Sequence, residues 1–407
     1  MTLSSNEASC PEKRLLAYCS RTQVNPAIAK EIRELVRGPI DWDFLLLQAA
    51  EHSVTPQISR QLSSVAAEIV EPAHLQRLTE LTRVNTMRAL SLTAELVKLM
   101  AEFRSRGIPA VPYKGPVLAA QVYGDLALRE FEDLDIVVRQ RDVAKANDAM
   151  VSLGYHPKTS GLFSGKAESI VPAEYMYIHG DEARRILVEI HSERTMRHFP
   201  LPLDLDDLMG RLVPVAVGGH ELLTFAPEDM FVLLCVHGSK HFWKRLSWIA
   251  DIAAFVEAHR DLQWNKIFRL AQVLRANRMV AISLALALRL FDVPLPRDVL
   301  ESVRSDAMAN SIAAQSENNL LSRQPVEFGA LALFRLRRQM LDSFFRGWRY
   351  SIRLATLPSE DDADAMRLPS LLKPLYPALR PFRLLRKYGF ASAPVSQESF
   401  AGKKASN

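Results

Sequence analysis

The segment Val111–Arg139 constrains the fold more than any other part of the chain, because it places two acids within an apolar strand. Side chains alternate between the faces of a strand, so Asp133 and Asp135 are predicted to share one face. Carboxylates about 7 Å apart can share a hard cation such as Mg²⁺, which prefers oxygen ligands. The pattern therefore predicts a metal-assisted phosphate site, and the alternative is a solvated edge strand with ordinary surface acids.

A Lys-Gly-Pro turn precedes this acidic strand. Residues 108–113 are predicted to form a short buried strand, and Gly115-Pro116 to begin a helix, since proline is favoured at the first helical position. Free N–H groups at a helix start attract anions, and Lys114 adds a positive charge beside them. Arg129 is a second candidate phosphate contact. Both cations have a simpler interpretation as solvent-exposed residues at the ends of a strand.

A third acid lies within a later apolar run. Alternation along residues 185–191 places Glu189 and His191 on one face, with Val188 and Ile190 on the other. If this strand lies beside the acidic strand, Glu189 completes a carboxylate cluster able to hold two divalent cations, and His191 lies near the substrate. The alternative is an acid paired with a neighbouring arginine, Arg184 or Arg185.

Two histidines four residues apart, His237 and His241, are predicted to share a helix face. This spacing occurs in zinc sites, but Gly238 stands where the HExxH motif has its glutamate, so the sequence disfavours metal binding there. Together with Lys240 and Trp248, the histidines suggest a basic and aromatic face that contacts phosphates or a nucleobase. A packing role for the histidines is the alternative.

Composition limits the remaining function classes. The 407 residues suffice for two or three domains, and a 48% hydrophobic content is typical of a globular protein. No apolar run of 18 residues occurs, and the N-terminus lacks a secretory signal, so a cytoplasmic location is expected. Three widely spaced cysteines argue against a disulfide framework and against structural zinc.

The patterns divide the chain into four regions. Residues 1–107 are predicted to be helical, residues 108–217 to form a mixed α/β module, and residues 218–357 to form a second helical region. Residues 358–407 contain several prolines and a tail predicted to be disordered. The stretch 331–390 carries 12 Lys and Arg against 5 Asp and Glu, a local charge of +7. This segment is interpreted either as a solvated basic face or as a site of peripheral contact with acidic lipid, and a nucleic-acid partner is not expected.

Several of these motifs, in their order and spacing, closely resemble a poorly characterised bacterial nucleotidyltransferase family of the polymerase-beta-type superfamily. The resemblance covers roughly residues 40–258 and rests on Lys114-Gly115, Tyr123-Gly124-Asp125, Arg129, Asp133–Val138, Val188–His191, and His237–His241 with Leu246, Trp248 and Asp251. It implies an α+β fold, in which a minimal mixed-sheet nucleotidyltransferase module is flanked by N-terminal and C-terminal helical regions. One departure is that the Gly-Ser turn usual in the superfamily is here Lys114-Gly115-Pro116.

The resemblance also implies a chemistry. Asp133, Asp135 and Glu189 would be the catalytic, metal-binding acids, holding Mg²⁺ and, by the two-metal scheme, two ions. The expected reaction moves a nucleoside monophosphate from an NTP such as ATP to a small-molecule, sugar or protein acceptor. Predicted substrate contacts are Lys114, Gly115, Arg129, His191, His237, Lys240 and His241. The alternatives are a nucleotide-binding scaffold with weak turnover and, ranked last, a transferase acting on nucleic-acid ends.

Overall fold

The computed structural model describes residues 10–158, 175–181, 185–192, 204–326 and 328–342, with a few isolated positions between 348 and 383. The chain divides into two compact units, Met1–Arg323 and Gln324–Asn407. Among the described residues, no helix combines the length and the apolar composition needed to cross a membrane. The predicted disordered tail and most of the basic C-terminal segment lie outside the described residues.

Helices make up most of the described structure. In the first unit they are α1 (Pro11–Cys19), α2 (Pro26–Arg37), α3 (Trp42–Glu51), α4 (Thr55–Val65), α5 (Pro72–Ser105), α6 (Gly115–Leu118), α7 (Val143–Ser152), α8 (Leu205–Met209), α9 (Pro227–Lys240), α10 (Leu246–Ala258), α11 (Trp264–Leu274), α12 (Asn277–Phe291), α13 (Arg297–Ser305) and α14 (Ala307–Leu321). The second unit contains α15 (Ala330–Gln339), which lies within the helical region predicted over residues 218–357.

Local sequence signals account for many helix starts. The side chains of Asn25, Asp41 and Asp306 accept hydrogen bonds from backbone N–H groups in the first turns of α2, α3 and α14. Proline occupies the first turn of α2, α5 and α9, as predicted from its fixed backbone angle. Helix α1 lies within the N-terminal region predicted to be helical, and its Leu15 and Leu16 are almost completely buried.

The first unit contains a mixed sheet, as the fold class predicts. Its strands are β1 (Ala110–Pro112), β2 (Asp133–Val138), β3 (His156–Pro157), β4 (Tyr175–His179) and β5 (Ile186–His191). Their order is β1-β2-β5-β4-β3. Strands β2 and β5 are parallel and adjacent, whereas the other pairs are antiparallel. The predicted neighbourhood of the two acidic strands is therefore confirmed.

A separate hairpin lies beyond the sheet. Strands β6 (Val213–Val217) and β7 (His220–Thr224) pair antiparallel around Gly218-Gly219. Both glycines have positive φ angles, +57° and +81°, which residues other than glycine rarely adopt. The predicted border between residues 217 and 218 falls within this turn, and residues 1–323 form one compact unit.

A buried histidine in the helical region gives the fold a pH dependence. Burial, followed by repulsion from Lys13 and Arg245, lowers the pKa of His52 from 6.5 to about 3. The Lys13 Nζ donates to His52 Nε2 over 3.1 Å. Between these pKa values the unfolded chain binds a proton that the folded chain does not, so this contribution to stability is lost as pH falls.

We expect His52→Gln to reduce the loss of the free energy of unfolding that occurs as the pH falls below neutral. Between about pH 6 and pH 4, the free energy of unfolding of the parent should fall more steeply than that of the variant, by up to about 1.4 kcal/mol per pH unit. Urea unfolding at several pH values measures this difference. His220→Gln, at an exposed position, is the matched control. Parallel curves for parent and His52→Gln would contradict the prediction.

Candidate active site

The three predicted acids occupy neighbouring positions on adjacent strands. Asp133 and Asp135 lie on one face of β2, because the alternating Leu134, Ile136 and Val138 are completely buried on the other. In the parallel pairing of β2 with β5, Asp135 is directly opposite Glu189. The sheet register therefore brings together carboxylates that are far apart in sequence, as the alternation predicted.

Asp135 is the centre of the polar cluster. Its Oδ1 accepts from Lys114 Nζ at 2.6 Å and from His191 Nε2 at 2.8 Å. Only 3% of its side chain is exposed. Burial alone would raise the pKa of Asp135, but Lys114 and His191 outweigh it and hold this pKa well below its usual value. Asp135 is therefore an anion that two donors stabilise on one oxygen.

Asp133 has a different environment on the same face. Burial and then repulsion from Asp135 raise the pKa of its carboxyl to about 6. Two neighbouring carboxylates with pKa values displaced in opposite directions are typical of a site rather than of a solvated surface. The arrangement disfavours the alternative of ordinary surface acids on an edge strand.

Among the described residues, Asp135, Glu189 and His191 form a group of potential metal ligands. One ligand atom from each lies within 4.8 Å of the others. Two carboxylates suit a hard cation such as Mg²⁺, whereas the imidazole also suits softer divalent ions. His191 thus lies among the acids rather than only near a substrate, and its Nδ1 is buried without a hydrogen-bond partner in the described structure. The group fits a divalent cation.

The Lys-Gly-Pro turn brings the backbone close to the acidic strand. Gly115 has a φ of +52°, and a Cβ atom there would lie 3.4 Å from the carbonyl oxygen of Asp133. Helix α6 begins at this glycine, as predicted, with Pro116 in its first turn. The Lys114 ammonium, which is directed to Asp135, also lies 5.1 Å from the centre of the Tyr113 ring. Lys114 is therefore a buried member of the cluster rather than a solvated residue.

Arg129 is bound by an acid from the helical region. Its Nε lies 3.1 Å from Asp251 Oδ1, and its Nη2 lies 3.0 Å from Asp251 Oδ2. The Tyr123 hydroxyl donates to the same carboxylate at 3.0 Å. Burial alone would lower the pKa of Arg129, but Asp251 raises it. Sequence reasoning did not pair these residues, although an acid within the apolar helix α10 is a signal that a buried cation faces it.

His237 in the last turn of α9 and His241, the residue after that helix, form an aromatic cluster with Trp248. The ring centres of His237 and His241 are 4.8 Å apart, and those rings lie 5.6 Å and 5.0 Å from the Trp248 ring. Burial, followed by repulsion from Lys114, holds the pKa of His237 well below 6.5. Repulsion from His241, Lys240 and His191 lowers the pKa of His237 further. Lys240 lies in the last turn of the same helix.

Gly238 permits close packing beneath these histidines. A Cβ atom at this position would lie 2.2 Å from two ring carbons of Trp243, whose side chain is fully buried. Phe242 and Trp243 both adopt a positive φ, +57° and +54°, which is unfavourable for side chains of this size. The turn after α9 is therefore held in place by the indole that fills the space above Gly238.

We expect Gly238→Ala to lower the free energy of unfolding by about 1–3 kcal/mol. Alanine favours a helix over glycine by about 1 kcal/mol, but the overlap with the Trp243 ring outweighs this gain. Denaturant unfolding measures the change. The double variant Gly238→Ala/Trp243→Leu should show less than the sum of the single effects, since leucine vacates the overlapping space. Additive effects would contradict the steric explanation.

The mixed sheet brings Asp133, Asp135 and Glu189 together beside Lys114 and His191. Residues 38–292 match the sequence model of the family described as "uncharacterised nucleotidyltransferase". This match covers more than half of the chain, so the protein belongs to that family. Among curated proteins, none is significantly similar to the chain.

Solved structures with weak similarity to the chain include two. One is the antibiotic-resistance factor ANT(2'')-Ia, with 12% identity and a TM-score of 0.31, which covers 46% of this chain and 91% of its own. The other is an antigenic nucleotidyltransferase-like protein from Paracoccidioides brasiliensis, with 12% identity and a TM-score of 0.33, covering 54% and 93%.

Proposed function

We propose that the protein is a Mg²⁺-dependent nucleotidyltransferase that moves a nucleoside monophosphate from an NTP to an acceptor. The observation that carries this proposal is the register of β2 and β5, which sets Asp135 opposite Glu189 with Asp133 on the same face. Asp133, Asp135 and Glu189 would hold the cations, and His191 lies close enough to join them. A bound divalent ion would polarise the α-phosphate and neutralise its developing charge.

The reaction balances without any further reagent. An acceptor oxygen forms a bond to the α-phosphorus of the NTP, and the bond from that phosphorus to the bridging oxygen of the β-phosphate breaks. Pyrophosphate leaves with the bonding electrons, and the acceptor proton passes to a carboxylate. Glu189 suits this last role, because 17% of its side chain is exposed compared with 3% for Asp135.

Basic residues around the acids suit the triphosphate. In the proposal Lys114 and Arg129 contact the β- and γ-phosphates, and Gly115 keeps the backbone close to them. His237, Lys240 and His241 form a further wall that contacts phosphate or base. The acceptor is a small molecule, a sugar or a protein side chain, and ATP is the first donor to test. The cytoplasmic location and the lipid contact of the basic C-terminal segment stay predictions.

One observation favours a second candidate, a nucleotide-binding protein with little turnover. Lys114 and His191 both occupy the same oxygen of Asp135, so a cation at that oxygen has two competitors. Such a protein would bind NTP and Mg²⁺ without releasing pyrophosphate. Its sheet and acids would then serve recognition alone.

Pyrophosphate release tests the two candidates against each other. The full chain is incubated with Mg²⁺, each common NTP labelled at the α-phosphate, and fractionated cell extract. We expect pyrophosphate release together with transfer of the label to one fraction, and loss of both on adding a chelator. Absence of release with every NTP and every fraction overturns the transferase proposal. NTP binding measured by calorimetry in that case would support the second candidate.

A further inference from the structure

Helix α5 carries an exposed apolar ridge. Leu81, Val84, Met87 and Leu90 are 45%, 61%, 62% and 53% exposed, respectively. Steps of three residues follow one of the ridges by which helices pack against each other. No residue of α5 between Leu78 and Ala89 is buried. The middle of this 34-residue helix therefore presents large apolar side chains to solvent over three turns.

Such a ridge is costly unless another surface covers it. Burying one large apolar side chain contributes about 1.5–3 kcal/mol, and contiguous exposed apolar patches commonly mark interaction sites. Single exposed hydrophobic residues are ordinary, but Leu81, Val84 and Met87 lie on neighbouring turns of one helix and form a strip centred on Val84, whereas Leu90 lies about half a turn around the helix from Leu81. None of the strip's residues belongs to the acidic cluster, although Arg88 at one end of the strip pairs with Glu132, the residue before Asp133.

Around Val84, the residues on one side match those on the other side in the way that two antiparallel copies of α5 would need. Three residues to either side are Leu81 and Met87, both apolar, and four residues to either side are Glu80 and Arg88, of opposite charge. Two copies of α5 placed antiparallel about Val84 would set Leu81 of one against Met87 of the other. Each Glu80 would then face an Arg88, which gives two ion pairs across a twofold axis.

The charges at the ends of this strip are available for exchange. Glu80 pairs with Arg83 at 3.2 Å, and Arg88 pairs with Glu132 at 3.4 Å. All four side chains are more than half exposed, so these intramolecular pairs contribute little. A partner copy can therefore take over Glu80 and Arg88 without a large loss within the chain.

We propose that the protein forms a twofold symmetric dimer in which the α5 ridges pack antiparallel about Val84. A second copy of this chain is the expected partner, because Glu80 and Arg88 lie at equal distances on either side of Val84 and can pair with each other across a twofold axis. Binding of an unrelated protein would not need this symmetric arrangement. The inference does not rest on the proposed transferase activity. Contacts along one pair of helices predict a reversible dimer rather than an obligate one.

Sedimentation equilibrium of the full chain tests the dimer directly. We expect the mass to move from one chain, 45.8 kDa, toward twice that value as concentration rises through the micromolar range. Val84→Glu should raise the dimer dissociation constant by at least about tenfold, since two glutamates would meet on the axis. Val273→Glu, at a 58% exposed position on α11, is the control that should leave the constant unchanged. A parent that stays monomeric throughout overturns the proposal.

Charge exchange tests the antiparallel arrangement. Glu80→Arg and Arg88→Glu should each weaken the dimer, because like charges then face each other in both pairs. The double variant Glu80→Arg/Arg88→Glu should recover most of the parent's affinity, since opposite charges meet again. If the double variant is as weak as the single variants, the antiparallel register is wrong. If neither single variant changes the constant, the ridge is not the interface.

Discussion

Replacing Asp135 by asparagine is expected to lower NTP-dependent pyrophosphate release by at least about 10³-fold. The substitution keeps the shape of the side chain but removes the charge at the centre of the Asp135, Glu189 and His191 group. Loss of one anionic ligand weakens cation binding, and the hydrogen bond from His191 no longer ends on a carboxylate. The measurement is the initial rate at saturating Mg²⁺, compared with the parent.

Folding must be separated from chemistry in this experiment, because Asp135 also neutralises Lys114. Thermal unfolding of the variant shows whether the sheet survives. Glu189→Gln, which removes a less buried acid from the same group, should also suppress the rate while disturbing the fold less. Glu132→Gln changes an exposed acid next to the acidic strand and should leave the rate unchanged. A folded Asp135→Asn variant that retains a tenth of the parent rate would contradict the assigned role of Asp135.

The sequence was sufficient to predict the acidic face, because alternation in a strand is a local property. Asp133 and Asp135 must share a face in any strand that contains both, and the same holds for Glu189 and His191. That the two strands are neighbours is a topological fact. It was reached through the resemblance to a family and confirmed by the parallel pairing of β2 and β5.

Contacts between side chains distant in sequence were beyond this reasoning. Lys114 and His191 converge on one oxygen of Asp135 only because the turn before α6 and the end of β5 meet at β2. Periodicity gives the face of a side chain but not the atom that it contacts. The pairing of β6 with β7 was likewise not predicted, because it depends on contacts between two short strands rather than on the face of one.

The largest stability effect is expected from Asp251→Ala, which should lower the free energy of unfolding by about 3–5 kcal/mol. Arg129 and Asp251 are 122 positions apart in sequence, and their side chains are only 10% and 3% exposed. Removing the carboxylate leaves a buried guanidinium without its counter-charge and the Tyr123 hydroxyl without its acceptor. Urea unfolding followed by circular dichroism measures the loss, and Asp261→Ala, at an exposed position, is the control.

A double variant separates the structural role of Arg129 from its proposed contact with phosphate. Arg129→Leu/Asp251→Leu removes both charges and should cost far less stability than Asp251→Ala, because no buried ion is left unpaired. A cost for Asp251→Ala below about 1 kcal/mol would show that the pair is not buried as described. If the folded double variant loses pyrophosphate release, Arg129 acts on the triphosphate as well as on Asp251. If it keeps the parent rate, Arg129 serves only to join the acidic strand to helix α10.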